Sequence, residues 1–338
     1  MNLAERIAIV KRNSAEIIEE AELKELLENK STPTVYLGRA VTGPLHLGHL
    51  ITLTKLADLQ KAGFEAILLL ADIHAFLDDQ KSKWDELSMK VEYTRKAIEM
   101  SINWQNPLKF VVGSSFQLDD SYMADMLKLS TFLTVKNAMH AASEVTRMKN
   151  PKVSELIYPI MQALDEQYLK VNMQLGGMDQ RHILVMAREY LPLLNYKKRI
   201  EFLMPLLTSL HGPGVKMSSS IPGTYIKINA SETTIKEQIS KAYCPEGIIE
   251  NNPILEIVNL FILPNEGTFI IKRDNKFGGD IEITSANELN SIFAAKKLHP
   301  LDLKNAVSEY LVRKLSKVRN YFESNNDLIK QLGPVFGP

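Results

Sequence analysis

Apolar positions change their spacing along the chain, and each change marks an element. In the first thirty residues Ile17, Ile18, Leu23, Leu26 and Leu27 supply one apolar face, with Ser14 as its cap, which predicts a surface helix. Unbroken apolar runs then alternate with helical periods. Thr34 to Gly38 and Phe64 to Leu70 read as strands; between them, after a Gly/Pro loop from Arg39 to Pro44, His46 to Ala62 reads as a helix stopped by Gly63. This βαβ unit predicts a parallel sheet. The alternation continues with a helix over Trp84 to Ile102, a strand at Lys109 to Val112, helices within Ser121 to Ser143 and a helix over Pro159 to Lys170. A strand near Met173 to Leu175, a helix from Asp179 to Tyr190 and a strand at Phe202 to Leu206 follow. From about Ser231 helical periods dominate, with a capping box at Ser285-Ala286-Asn287-Glu288 and a long last helix from about Leu301 to Phe322. The shift predicts a boundary near 226 to 230: a helical segment over 1–32, an α/β domain over 33–228 and a mainly helical domain over 229–338.

Composition narrows the class. With 338 residues, 45% of them hydrophobic and 24% charged, the chain can bury a substantial core and is neither disordered nor fibrous. Its one cysteine, Cys244, excludes an internal disulfide framework and reads as a buried thiol in a reducing compartment. The most apolar stretch, Ala66 to Leu77, contains Asp72 and His74, so no membrane span is expected. The N-terminus, with Glu5, Arg6 and Lys11, does not read as a targeting peptide, and the expected location is cytoplasmic. Formal net charge is zero, yet Lys296 to Arg319 carries seven basic residues against Asp302 and Glu309. That stretch suits either a phosphate backbone or a solvated helix face.

Four constellations carry chemistry. His46 and His49 share the first turn of a helix that follows a strand, where unpaired N–H groups and the helix dipole favour an anion; Gly48 between them leaves space for a flat ring against the backbone. Lys216-Met217-Ser218-Ser219-Ser220 follows the glycine-containing loop His211 to Gly214, and a lysine there can close over a triphosphate while the serines supply donors. Gly176-Gly177-Met178-Asp179-Gln180 joins a strand end to a helix start; Asp179 is placed to accept from ribose hydroxyls, or equally to cap the helix. Tyr158, Gln162 and Asp165 fall on one face of a helix with Pro159 at its first position, either a small-molecule site beside Ile160, Met161 and Leu164 or the wet side of the helix. Each pattern alone also suits an ordinary surface. The histidine pair and the Lys216 segment together point to ATP-dependent adenylate formation.

Nearly the whole chain resembles tyrosyl-tRNA synthetases of the archaeal and eukaryotic type, class I enzymes of the same subgroup as tryptophanyl-tRNA synthetases. The resemblance rests on Tyr36-Leu37-Gly38, Leu70-Ala71-Asp72-Ile73-His74-Ala75, Tyr158 to Asp165, Gly176 to Arg181, the Lys216 segment, Lys276-Phe277-Gly278-Gly279 and His299 to Ala306. It implies a Rossmann-like parallel-sheet catalytic domain and a helical anticodon-binding domain. It also implies attack of the tyrosine carboxylate on ATP, with magnesium on the phosphates, followed by transfer to tRNA(Tyr). His46, His49, Lys216, Ser218 and Ser219 would stabilise charge, and Gly38, Gly48, Gly177, Asp179, Lys216 and Met217 would hold ATP. Tyr36 and Asp165 would hold the phenol, Tyr158, Gln162 and Gln180 the ammonium, and His74 and Gln117 would line the pocket. Phe277 and Asp302 would read the first anticodon base, against a core role for Phe277, and Arg181 the first acceptor-stem pair. A homodimer is implied, joined through about 118–155. No permanent cofactor and no dedicated metal site are expected.

Two positions depart from that pattern: Arg39 stands where relatives carry a small or acidic residue, and Lys136 to His140 is poorer in charge than the run that grips the acceptor stem in archaeal relatives. The alternatives are a tryptophanyl enzyme and, in another class, a non-catalytic synthetase-like RNA-binding protein. A small nucleotidyltransferase also uses the histidine motif but lacks the Lys216 segment and the helical appendage.

Overall fold

The computed structural model describes residues 1–78, 81–145, 150–218, 221 and 223–338. The chain packs as two compact units, one of residues 1–43, 55–96 and 104–205, the other of 44–54, 97–103 and 206–338. The break between 205 and 206 lies upstream of the boundary expected near 226 to 230. Among the described residues no helix is long and apolar enough to cross a membrane.

The first unit is built on a six-stranded sheet: β1 (Glu16–Ile18), β2 (Thr34–Ala40), β3 (Glu65–Ala71), β4 (Lys109–Val112), β5 (Met173–Gly177) and β6 (Ile200–Met204), in the order β1-β6-β5-β2-β3-β4. Every pairing but β1 with β6 is parallel, the Rossmann-like α/β arrangement expected from the alternation. β3 is buried from Ala66 to Ala71, as a central strand covered by helices on both faces requires. Gly63, at φ +89°, ends the helix Leu47–Lys61 in a left-handed turn.

The N-terminal segment differs from the single helix expected. It forms a helix over Leu3–Lys11, the edge strand β1 and a helix over Glu20–Asn29. Asn2, not Ser14, caps the first helix in a box with Glu5, and the Ser14 hydroxyl donates to the Lys11 carbonyl at 2.8 Å. The β-branched pair Ile17 and Ile18 finds β6 antiparallel beside it, and that pairing overrides helical spacing. Pro159 also differs from expectation. It lies inside the helix Val153–Tyr168, not at its first position, and burial of nine of that helix's residues outweighs the backbone bond the proline removes.

In the second unit the described residues are mainly helical and include a hairpin of β7 (Phe269–Ile271) and β8 (Ile281–Ile283), strands too short to leave a pattern in the sequence. The expected last helix is two: Pro300–Lys314 and Ser316–Ser324, interrupted at Leu315. Ser285 caps the helix Ala286–Ala294 as expected, but the Glu288 carboxylate accepts from Thr284, through its N–H at 2.8 Å and its hydroxyl at 2.9 Å.

Candidate active site

The histidine motif and the Lys216 segment belong to the second unit, and the structure brings them together. Leu47 N–H donates to the Ile226 carbonyl at 3.0 Å and Ile228 N–H to the Leu45 carbonyl at 3.1 Å, so the turn carrying His46 pairs with the strand-like stretch just beyond Lys216. Within the turn, His46 Nδ1 accepts from Gly48 N–H and His49 Nδ1 from His46 N–H, each at 3.1 Å. These bonds fix the proton of each neutral ring on Nε2, the nitrogen suited to donate to a phosphate. The two rings lie 3.7 Å apart between centroids. A side chain at residue 48 would meet the His46 ring at 3.0 Å, so glycine there keeps that ring from being pushed aside, while Met217 stands at ordinary contact distance, 3.7 Å.

Lys216 is exposed at the end of a short antiparallel turn whose other side is Thr208. The turn is anchored at its base, where Glu256 accepts from Thr208 N–H at 2.7 Å and from its hydroxyl at 2.8 Å. Gly212, at φ +102°, lies against Tyr243, and a Cβ would come within 2.8 Å of that ring. Met217 is buried, Ser218 is half-buried and accepts from the Thr224 hydroxyl at 3.0 Å, and Ser219 lies outside the described residues.

The first unit holds the second cluster. Tyr36, fully buried on β2, donates through its hydroxyl to the Gln162 carbonyl at 3.3 Å. On the same helix Asp165 is 1% exposed; its Oδ1 accepts from Gln117 Nε2 at 2.8 Å and from the Tyr122 hydroxyl at 2.9 Å, and His74 Nε2 stands 3.8 Å from its Oδ2. His74 packs edge-on against Tyr158 at 4.7 Å, and Gln162 Nε2 donates to Gln180 Oε1 at 3.1 Å. Gly38 is exposed on β2, and Gly177 ends β5 just before the turn Met178–Gln180 that carries half-buried Asp179. Burial pushes the Asp165 carboxyl up to about 8, against the opposing bonds from Gln117 and Tyr122. Burial lowers His74 to about 4, so it is neutral, and raises Tyr36 well above the usual phenol range, with Asp165 adding to the effect. The result is a largely buried cluster of phenol, carboxyl and amide groups able to tell a hydroxylated aromatic ring from a bare one. Sequence reasoning missed Tyr122: no local motif marks a tyrosine that reaches Asp165 from another helix.

It also missed a row of polar groups behind Tyr36. The register sets Tyr36 beside Gln174 and Gln174 beside Glu201 on adjacent strands. Glu201 and Glu166 are fully buried, and none of their four carboxylate oxygens has a hydrogen-bond partner. Burial raises Glu166 to about 8 and Glu201 well above its ordinary value; Arg188 and Arg199 oppose this, while Asp165 adds to the rise of Glu166 and Glu166 to that of Glu201. A carboxyl raised on folding contributes stability that is whole below its ordinary value of 4.5 and is lost as pH climbs through about 8. Glu166→Gln is therefore expected to flatten the fall in unfolding free energy between pH 5 and 9, by an amount on the order of a few kcal/mol. Denaturant titrations at both pH values would check this, and parallel slopes for variant and wild type would contradict it.

The residues expected to touch RNA divide between the units: Arg181 lies in the first, Phe277 and Asp302 in the second. Phe277 is 61% exposed in the β7–β8 loop under the Lys276 ammonium, 4.9 Å away, and not in a core. Arg273, in the same loop, donates to the Gly279 carbonyl at 2.9 Å and the Lys297 carbonyl at 3.1 Å, tying the loop to the segment that leads into the helix of Asp302. Arg181 is held by Glu16 in a two-bond pair at 2.7 and 2.9 Å. In the basic stretch three of the seven cations have acidic partners among the described residues: Lys296 pairs with Glu246, Lys314 with Glu266 and Arg319 with Glu232.

Residues 28–316 match the family described as class I tRNA synthetases (W and Y). The chain belongs to that family. Among its curated relatives is a tyrosine–tRNA ligase of Archaeoglobus fulgidus, 44% identical over 321 residues that cover 94% of this chain and 98% of the relative. Another, of Methanocaldococcus jannaschii, is 45% identical over 313 residues, 92% of this chain and 97% of the relative. A crystal structure of tyrosyl-tRNA synthetase complexed with L-tyrosine from Archaeoglobus fulgidus superposes with a TM-score of 0.91 at 43% identity, covering 94% of this chain and 99% of the other.

Proposed function

We propose that the chain is a tyrosine–tRNA ligase that activates L-tyrosine with ATP and passes it to tRNA(Tyr). The observation that carries this is the cluster of buried Tyr36 and Asp165 with the Gln162 carbonyl, an arrangement suited to a phenol in a chain 44% identical to a tyrosine–tRNA ligase. Its donors and acceptors disfavour the tryptophan alternative, because an indole presents one N–H at another point and carries no hydroxyl to pair with Asp165.

The roles follow from the chemistry. Tyr36 and Asp165 take the phenol, with His74 and Gln117 lining the pocket, while Tyr158, Gln162 and Gln180 hold the ammonium. The carboxylate then attacks the α-phosphorus of ATP. His46, His49 and Lys216, with Ser218 and Ser219, stabilise the developing phosphate charge, and no covalent enzyme intermediate is needed. Gly38, Gly48, Gly177 and Met217 frame the nucleotide and Asp179 accepts from its ribose. Magnesium enters as part of the ATP complex, held mainly by the phosphates. Phe277 and Asp302 read an unstacked anticodon base, and Arg181 exchanges Glu16 for the acceptor stem. The enzyme works as a cytoplasmic homodimer joined through about 118–155.

The test is charging of a tRNA(Tyr) transcript with labelled tyrosine. Esterified tyrosine that depends on ATP is the expected result. RNA binding without charging would replace the ligase with a non-catalytic RNA-binding protein.

A further inference from the structure

Arg39 lies next to the last residue of β2, at the carboxyl ends of the parallel strands, where open α/β sheets bind ligands. Its side chain is half-buried, its Nε is buried with no hydrogen-bond partner, and it forms no salt bridge with any described residue. The Tyr158 and Tyr93 phenols and the Asp179 carboxylate are near enough to act on its charge. Burial outweighs these neighbours and brings the guanidinium down to about 10. A cation withdrawn from water without a bound counter-ion weakens the fold, so the arrangement makes sense where an anion arrives to complete it.

The identity of that anion follows from the two groups on either side and rests on the function proposed above. Tyr158 is assigned to the amino-acid ammonium and Asp179 to the ATP ribose. In an aminoacyl adenylate the atom that joins the amino acid to the ribose is the α-phosphorus, so a cation set among these residues faces the α-phosphate. Arginine also suits the task, because its planar fork meets two oxygens of one phosphate or carboxylate at once.

We propose that Arg39 is a catalytic residue that grips the α-phosphoryl oxygens as the adenylate forms. In that step a carboxylate oxygen of the amino acid forms a bond to the α-phosphorus. The bond from that phosphorus to the bridging oxygen of the β-phosphate breaks, and pyrophosphate departs with the electron pair. Arg39 neither gives nor takes a proton. It offsets negative charge on the non-bridging oxygens, and it does so most strongly when phosphorus is five-coordinate.

The experiment compares wild type, Arg39→Met and Arg39→Lys in three measurements: tyrosine-dependent exchange of labelled pyrophosphate into ATP, tyrosine binding by calorimetry without ATP, and thermal unfolding without ligands. Arg39→Met is expected to lower kcat for exchange by about 10²–10³-fold, as for loss of one transition-state donor. Tyrosine affinity is expected to stay within about threefold. The unfolding temperature should hold or rise, because a half-buried guanidinium that forms no salt bridge with a described residue is gone. Arg39→Lys should fall between the two, since an ammonium keeps the charge but loses the fork. Exchange by Arg39→Met within about threefold of wild type would overturn the proposal. So would a lowered unfolding temperature accompanied by weakened tyrosine binding, the mark of a structural arginine. Wild-type protein that exchanges with no amino acid would instead remove the ligase function beneath it.

Discussion

Lys216→Ala is expected to slow tyrosine-dependent pyrophosphate exchange by about 10²–10³-fold, the usual consequence of removing one donor that acts in the transition state. Tyrosine binding measured without ATP should be unchanged. The structure gives reasons to expect so clean a separation. The Lys216 side chain is exposed, whereas its backbone is held by the pairing with Thr208, by Met217 N–H donating to the Leu207 carbonyl at 2.7 Å and by the Glu256 anchor. Truncation removes charge and leaves the turn in place. Undiminished exchange in the variant would mean that the lysine does not reach the phosphates.

The second large effect is at Asp165. Asp165→Ala deprives Gln117 Nε2 of an acceptor, removes one of the two acceptors at the Tyr122 hydroxyl and takes from the substrate phenol its proposed carboxyl partner. Leaving buried donors unsatisfied costs about 1–3 kcal/mol, so kcat/KM for tyrosine is expected to fall by roughly 5–100-fold. Phenylalanine, with no hydroxyl, should lose much less, and discrimination between the two should narrow by a similar factor. Steady-state exchange with both amino acids measures this. Equal losses for tyrosine and phenylalanine would indicate a collapsed pocket and remove Asp165 from phenol recognition.

Several of these features could be read before any coordinates because their chemistry is local. The His46–His49 spacing and the Lys216-Met217-Ser218 run place specific side chains within one turn, and the apolar runs at Thr34 to Gly38 and Phe64 to Leu70 mark strands buried on both faces. Other features depend on residues distant in sequence. Tyr122 reaches Asp165 from a different helix, Glu201 reaches Tyr36 only through the register of three strands, and Glu16 finds Arg181 across 165 positions. The N-terminal strand was hidden for a related reason: Ile17 and Ile18 satisfy helical spacing as well as strand spacing, and only β6 decides between them. Over Lys296 to Arg319 the sequence left two readings open, and acidic partners from other helices neutralise Lys314 and Arg319. Arg39 looked like a departure from a family pattern, and its neighbours Tyr158 and Asp179 give it a chemical context the string alone lacks.

The central claim is that this chain makes an adenylate from tyrosine and from no other aromatic amino acid. Exchange of labelled pyrophosphate into ATP, run with tyrosine, tryptophan and phenylalanine side by side, tests it most directly. The account predicts rapid exchange with tyrosine and little with the other two. Exchange driven by tryptophan, or by none of the three, would contradict it.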